Sequence, residues 1–315
     1  VIQSIPRRAI PAALLVLASL AGFVAAPSGE AAAADLVVNN LTGSDAQNDR
    51  GLVAGAATFG PYRTIARALA AAQPGDRLIL TDTGEPYREC VSLTGRRHSG
   101  GPTAPFQLIG NGATLDGSVY ARPAAWQAVG QGVYEYEATP PGYGLLILRD
   151  DARRPLSRRD AGTGPFRLEP MQWTRLGGRF FFRPEPNRAP SQYDLEVTEQ
   201  ATGLSLYDVR NVEIRDLTIR GFRFDGIHAH DRASEIRLIN VTCLENGRSG
   251  VSVSGACRVQ LEASQLTRNG IAQLRTAGQS HLVLRDVQAD AGDAVGLLKQ
   301  GGQVEGELLP LEPAQ

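Results

Sequence analysis

Cysteine is nearly absent from this chain of 315 residues, with Cys90, Cys243 and Cys257 the whole supply. An odd count without paired metal-ligand spacing excludes a disulfide-stapled scaffold and a zinc site, so the fold must rest on an apolar core. An excess of charge is missing too. Lys and Arg number 32 against 33 Asp and Glu, for a formal net charge of −1, and no basic run interleaved with aromatics occurs. Attraction to nucleic acid or to an anionic membrane therefore has no electrostatic basis. Aromatics are sparse at 6%, whereas 35 Gly and 19 Pro suit many short strands joined by tight turns. Histidine occurs four times, so any place where two of them meet is informative.

One long apolar run is present, at the N-terminus. Arg7 and Arg8 precede Ala9 to Ala26, and Ala31 to Ala34 offers A-x-A cleavage sites. This pattern predicts a secretory signal peptide over residues 1–34 and an exported mature protein, periplasmic, cell-envelope or extracellular, with no membrane segment after cleavage. An uncleaved anchor is the competing reading. The arginine pair alone is a weak hint of twin-arginine export.

From residue 203 onward the chain repeats itself. Gly203-Leu204-Ser205-Leu206-Tyr207 is echoed by Gly226-Ile227-His228-Ala229-His230, by Gly250-Val251-Ser252-Val253-Ser254 and, more loosely, by Gly270-Ile271-Ala272-Gln273-Leu274. A second series follows behind: Val212-Glu213-Ile214, Ile236-Arg237-Leu238, Val259-Gln260-Leu261 and Leu282-Val283-Leu284. A period of roughly two dozen residues built from short alternating strands predicts a β-solenoid over residues 201–293. Cys243 aligns with Leu266 at an inward position, while Cys257 falls in a turn. Equivalent residues of successive turns should lie about 4.7–4.9 Å apart. With the apolar residues inward, one outward column reads Ser205, His228, Ser252, Ala272, and its neighbour reads Tyr207, His230, Ser254.

A solenoid needs its open end covered. The segment Tyr62 to Ala72 places Ile65, Ala68, Leu69 and Ala72 on one helical face and is the natural cap, after a first strand at Leu36-Val37-Val38. The runs Asn40 to Asp49, Phe59 to Ile65, Gln73 to Asp76, Glu85 to Glu89 and Gly110 to Gly117 resemble the N-terminal half of secreted right-handed parallel β-helix proteins of the pectin-lyase-like superfamily. The resemblance implies an all-β fold, with cap and first turns over 35–117. It does not fix an activity, because that superfamily holds lyases, hydrolases, epimerases and adhesins.

Residues 118–200 break the repeat. Trp126 and Trp173, Gly132 to Tyr136, Leu145 to Leu148 and the Leu176-Gly177-Gly178-Arg179 turn predict a small β-rich insertion with hairpins. Its tryptophans read as the core of that module, the competing use being a sugar-stacking platform. Beyond 293 the pattern dissolves, and residues 294–315 read as a C-terminal tail.

The outward columns suggest a site. Cleaving or epimerising an acidic polysaccharide requires the sugar carboxylate to be neutralised, a base to take the C5 proton, and an acid to complete the transfer. His230 and Tyr207, with His228 and Asp231, suit the proton transfers. Arg223, Arg232 and Arg248 could pair with carboxylates, and Ser205, Ser252 and Ser254 could contact hydroxyls. His228-Ala229-His230-Asp231 is also similar to the Asp-Pro-His-Asp or Asp-Pro-His-Glu stretch of mannuronan C5-epimerases, which implies a role for His230 and Asp231. Positions 228 and 229 depart from that pattern.

Carboxylate pairs are alternatives. Asp225 with Glu245, or Asp208 with Asp231, could serve a glycoside hydrolase, and the stacked acids could bind calcium; no dedicated metal site is apparent. Glu213 over Arg237 reads as a structural ion pair. The leading expectation is an exported protein that binds and modifies an acidic polysaccharide. The alternative is a non-catalytic carbohydrate-binding or cell-envelope protein, with a glycoside hydrolase third.

Overall fold

The computed structural model describes residues 33–46, 58–137, 142–149, 154–158, 162, 164–290 and 294–311. The leader expected over 1–34 thus lies almost wholly outside the described residues. Among the described residues no helix is long and apolar enough to cross a membrane.

Strict alternation of apolar and polar residues makes each short segment a strand with one face to bury. Parallel stacking of equivalent segments then builds a solenoid with three faces. Face A holds Val91–Thr94, Leu204–Tyr207, Asp225–His230, Ser249–Val253 and the start of Ala272–Ala289, each paired in parallel with the next. Face B holds Asp35–Val38, Arg77–Leu80, Phe106–Ile109 and the first halves of Arg210–Arg220, Ser234–Leu244 and Arg258–Thr267. The second halves of those three long strands form face C with Thr114–Asp116.

The inward columns Leu204/Ile227/Val251/Leu274 and Ile214/Leu238/Leu261/Leu284 are all buried. Each such side chain contributes about 1.5–3 kcal/mol of transfer free energy. Cys243 stacks on Leu266 and is buried among them, and burial drives its thiol far up from the ordinary range. All three cysteines are free.

Corners turn the chain between faces, and each is set by a left-handed residue. At the A-to-B corner these are Gly95, Asp208, Asp231, Gly255, Gly278 and Gly301. The B-to-C corner uses Asp216, Asn240, Ala263 and Asp286, and the C-to-A corner uses Gly221, Glu245 and Arg268. Gly, Asn and Asp tolerate that backbone best, which is why they recur with the period of the coil. An asparagine ladder stiffens the C-to-A corner from inside: Asn246 Nδ2 donates to Asn269 Oδ1 at 3.1 Å and to the Ile219 carbonyl at 3.2 Å.

The helix forms at Ile65–Ala71, capped by Thr64, and buries Ile65, Ala68 and Leu69 against the first coils. The β-rich insertion is also found. It contains the antiparallel Gln172–Leu176 and Arg179–Arg183 hairpin, and Trp126 and Trp173 are core residues of the module. Its strands Ser118–Tyr120 and Leu195–Thr198 pair where it leaves and rejoins the coil. There Ser118 Oγ lies 2.6 Å from Asp116 Oδ1 and 3.0 Å from Glu196 Oε2, its single proton shared between the two carboxyl groups.

Two expectations are corrected. The chain does not dissolve after 293: Val295–Glu305 and Leu308–Pro310 pair in parallel with Ala272–Ala289 and continue the coil. Their side chains are largely exposed because nothing described stacks beyond them, which is why the apolar alternation weakens there. The fourth rung of face A is also misaligned in the sequence reading. Gly270 repeats Gly247, and a Cβ on it would meet the Gly247 carbonyl oxygen at 2.3 Å. The true counterpart of Gly250 is Gln273, so the residue in register with Ser252 is Arg275, not Ala272, which is buried opposite Ser249.

Candidate functional site

Face A carries the sequence-selected residues. Ser92, Ser205, His228, Ser252 and Arg275 form one outward column, with Thr94, Tyr207 and His230 beside it. Coil spacing brings the rings into a row: Tyr207 and His230 have centroids 5.0 Å apart, and His230 and His228 4.9 Å apart. Tyr207 is 46% exposed and His230 partly so. The outer end of the row is therefore open to solvent.

His228 is the sheltered end. Its Nε2 lies 3.1 Å from Ser254 Oγ, and its Nδ1 lies 3.9 Å from Asp225 Oδ2. Burial disfavours the imidazolium more than the Asp225 carboxylate favours it, with His230, Arg248 and Arg275 adding repulsion. The ring titrates at about 4 and is neutral near neutral pH.

The other selected residues divide. Asp231 sits at the A-to-B corner with left-handed backbone, exposed, its Oδ2 3.7 Å from His230 Nδ1. Its identity is explained first by the turn, although it also borders the row. Arg232 Nε pairs with Asp208 Oδ1 at 3.3 Å. Ser254 is engaged by His228, and Ser205 is half-buried in register with it.

Ser252 does not fit the expectation of an exposed sugar contact. It is fully buried and accepts from Arg275 Nη1 at 3.2 Å, because the arginine on the next coil lies over it. Arg248 is committed elsewhere: it forms a two-pronged ion pair with fully buried Asp225, which also accepts from Ser249 Oγ. Its guanidinium stacks over Tyr143 and Phe224. Arg223 also lies over Phe224, with its Nε buried and unbonded.

The Asp225/Glu245 pair is likewise excluded as an acid–base dyad. Both are fully buried, Asp225 held by Arg248 and Glu245 by Arg268 at 2.9 Å. Among the described residues no group of three or more His, Cys, Asp or Glu side chains converges as metal ligands would.

The insertion borders this face. A Cβ on Gly247 would lie 2.1 Å from the Tyr143 carbonyl oxygen, and one on Gly270 would lie 3.2 Å from Leu145. The segment carrying Tyr143 thus runs along the C-to-A edge. A groove of about 420 Å³ lies elsewhere, on face B, lined by Pro102, Glu213, Arg237, Arg258 and His281 among others. The Glu213–Arg237 pair expected from sequence spans 3.0 Å there.

Residues 192–306 match the family model of the right handed beta helix region. This part of the chain is a right-handed β-helix. No curated protein matches the chain. One solved structure similar to the β-helix is the complex of XylC with xylose, at 11% identity and a TM-score of 0.42; the match covers 86% of this chain and 66% of that one. The chain therefore spans just under two thirds of that protein's length.

Arg275 was missed by sequence reasoning. The available signal was the alternation in Gln273-Leu274-Arg275-Thr276, hidden because Gly270 offered a more conspicuous but misplaced match to the glycines of the earlier rungs.

Proposed function

We propose that the protein is an exported β-helix that binds an acidic polysaccharide along face A and acts on its uronate units by β-elimination or C5 epimerisation. The observation that carries this reading is the row Tyr207–His230–His228, held in ring contact on an exposed strand face with Arg275 on the same surface. In this reading His230 takes the C5 proton and Tyr207 delivers one to the leaving oxygen, or to the opposite face of the same carbon. Neutral His228, fixed by Ser254, sets the orientation of His230 through ring contact. Asp231 borders His230, its Oδ2 3.7 Å from His230 Nδ1.

The test is incubation with alginate, polygalacturonate and glycosaminoglycans. Ultraviolet absorbance of an unsaturated uronate marks the lyase, and solvent deuterium at C5 without cleavage marks the epimerase. Replacing His230 or Tyr207 with Ala should lower the rate by about 10²-fold or more. Absence of both signals in the unaltered protein would remove the catalytic reading for those substrates.

A second reading, a non-catalytic carbohydrate-binding or cell-envelope protein, is favoured by the position of the groove on face B, away from the histidines. It expects glycan retention that survives both His230→Ala and Tyr207→Ala. A glycoside hydrolase has lost its Asp225/Glu245 candidate to buried ion pairs.

A further inference from the structure

Four arginines have been placed near face A, and three are accounted for. Arg248 is neutralised by buried Asp225, Arg232 faces Asp208, and Arg223 lies against Phe224 at the corner rather than on the strand face. Arg275 differs. Its Nη1 donates to Ser252 Oγ at 3.2 Å and its Nε to Gln300 Oε1 at 2.8 Å, both neutral partners. Among the described residues no carboxylate ion-pairs with it. Its strand is locked in register on both sides, Arg275 lying between Ser252 and Leu298. The guanidinium is therefore an uncompensated, oriented cation on the outward surface of the coil.

Its position relative to the ring row is fixed. Ser252 is the direct neighbour of His228 on the next coil, so a guanidinium resting on Ser252 lies about one coil step, 4.7–4.9 Å, along the axis from the His228 level. A pyranose unit of an extended glycan has a comparable repeat. A chain lying along the axis with one unit over His230 would present the next unit's substituents to Arg275. Two neutral tethers leave donors of the planar fork free, and that fork matches a carboxylate or a sulfate.

We infer that Arg275 is the specificity-determining residue of face A, accepting the anionic substituent of the sugar unit adjacent to the one over His230. This rests on the glycan-binding reading above. It assigns selection for acidic over neutral chains to a residue outside the proton-transfer row.

Affinity gel electrophoresis and titration calorimetry with polygalacturonate, alginate, a sulfated galactan and neutral xylan test it, using the full chain, Arg275→Gln and Arg275→Lys. Arg275→Gln should weaken the acidic glycan by about tenfold or more and flatten the salt dependence of binding, with any xylan binding unchanged. Arg275→Lys should recover part of the affinity, which also shows that the fold tolerates change at this position. Comparison of polyuronate with sulfated galactan tells which anion the fork prefers. Equal acidic-glycan affinity in the unaltered protein and Arg275→Gln overturns the inference while leaving the function intact. No retention of any acidic glycan by the unaltered protein overturns both.

Discussion

His228 illustrates how a surface strand position becomes chemically distinct. Ser254 below it, Asp225 behind it and His230 beside it leave little water, and burial lowers its titration from 6.5 to about 4. The folded form therefore resists protonation that the unfolded chain accepts. The resulting stability is complete above about pH 6.5 and is lost as pH falls toward 4, where the unfolded state binds the extra proton first. Urea midpoints at pH 7 and pH 4.5 should differ more for the unaltered protein than for His228→Asn. Asp225 is the other residue with a large expected effect. Asp225→Ala strands the Arg248 guanidinium in a partly buried site and should cost about 3 kcal/mol or more, read as a lower urea midpoint. At this scale the sequence disclosed which residues share a face, since alternation alone separates His228 and His230 from Ile227 and Ala229. It did not disclose cover. Ser252 alternates as an exposed residue and is buried by an arginine one coil away, and Asp225 looks like any turn carboxylate until Arg248 closes on it.

Strands and corners were legible to different degrees. The long strands from Arg210 to Thr267 follow the apolar alternation, and the capping helix follows its three buried positions. Corners were harder, because a glycine can mark a left-handed turn or a close approach between neighbouring coils at any of three turns in each coil. Gly270 was assigned to the wrong one, which displaced a whole rung by three residues and hid Arg275. The corner role makes a sharp prediction. Gly270→Ala forces a Cβ to within 2.3 Å of a backbone oxygen that cannot give way, whereas Gly101, with open space around it, should tolerate alanine. Thermal melts should show clear loss for the first and little change for the second. Asn269→Ala removes the acceptor of Asn246 and the donor to the Cys243 carbonyl, both buried, at a cost of about 1–3 kcal/mol per group left unsatisfied.

Across the whole molecule, stability is passed from coil to coil, since each coil buries its apolar column only against its neighbours. The two ends are unequal. The first coils are covered by the helix, while Val295, Leu297 and Leu309 remain exposed on the last described strands. Amide hydrogen exchange should therefore be fastest over 295–311 and slowest over the central strands from Val212 to Leu266. The insertion was foreseen as a module, and its hairpins and tryptophan core follow from its own sequence. Its placement along the C-to-A edge depends on Gly247, a residue of the coil that reveals nothing of Tyr143 until both are folded. The stacked corners carry a last consequence. Because every coil enters and leaves through equivalent turns, excising the one repeat between His230 and Arg275 should keep the register of the coil while removing Ser252, one of the two tethers of the arginine. Such a deletion would act like removing one tooth from a gauge: the cation would move one notch toward the histidines, and the shortest oligosaccharide able to reach both would lose one sugar.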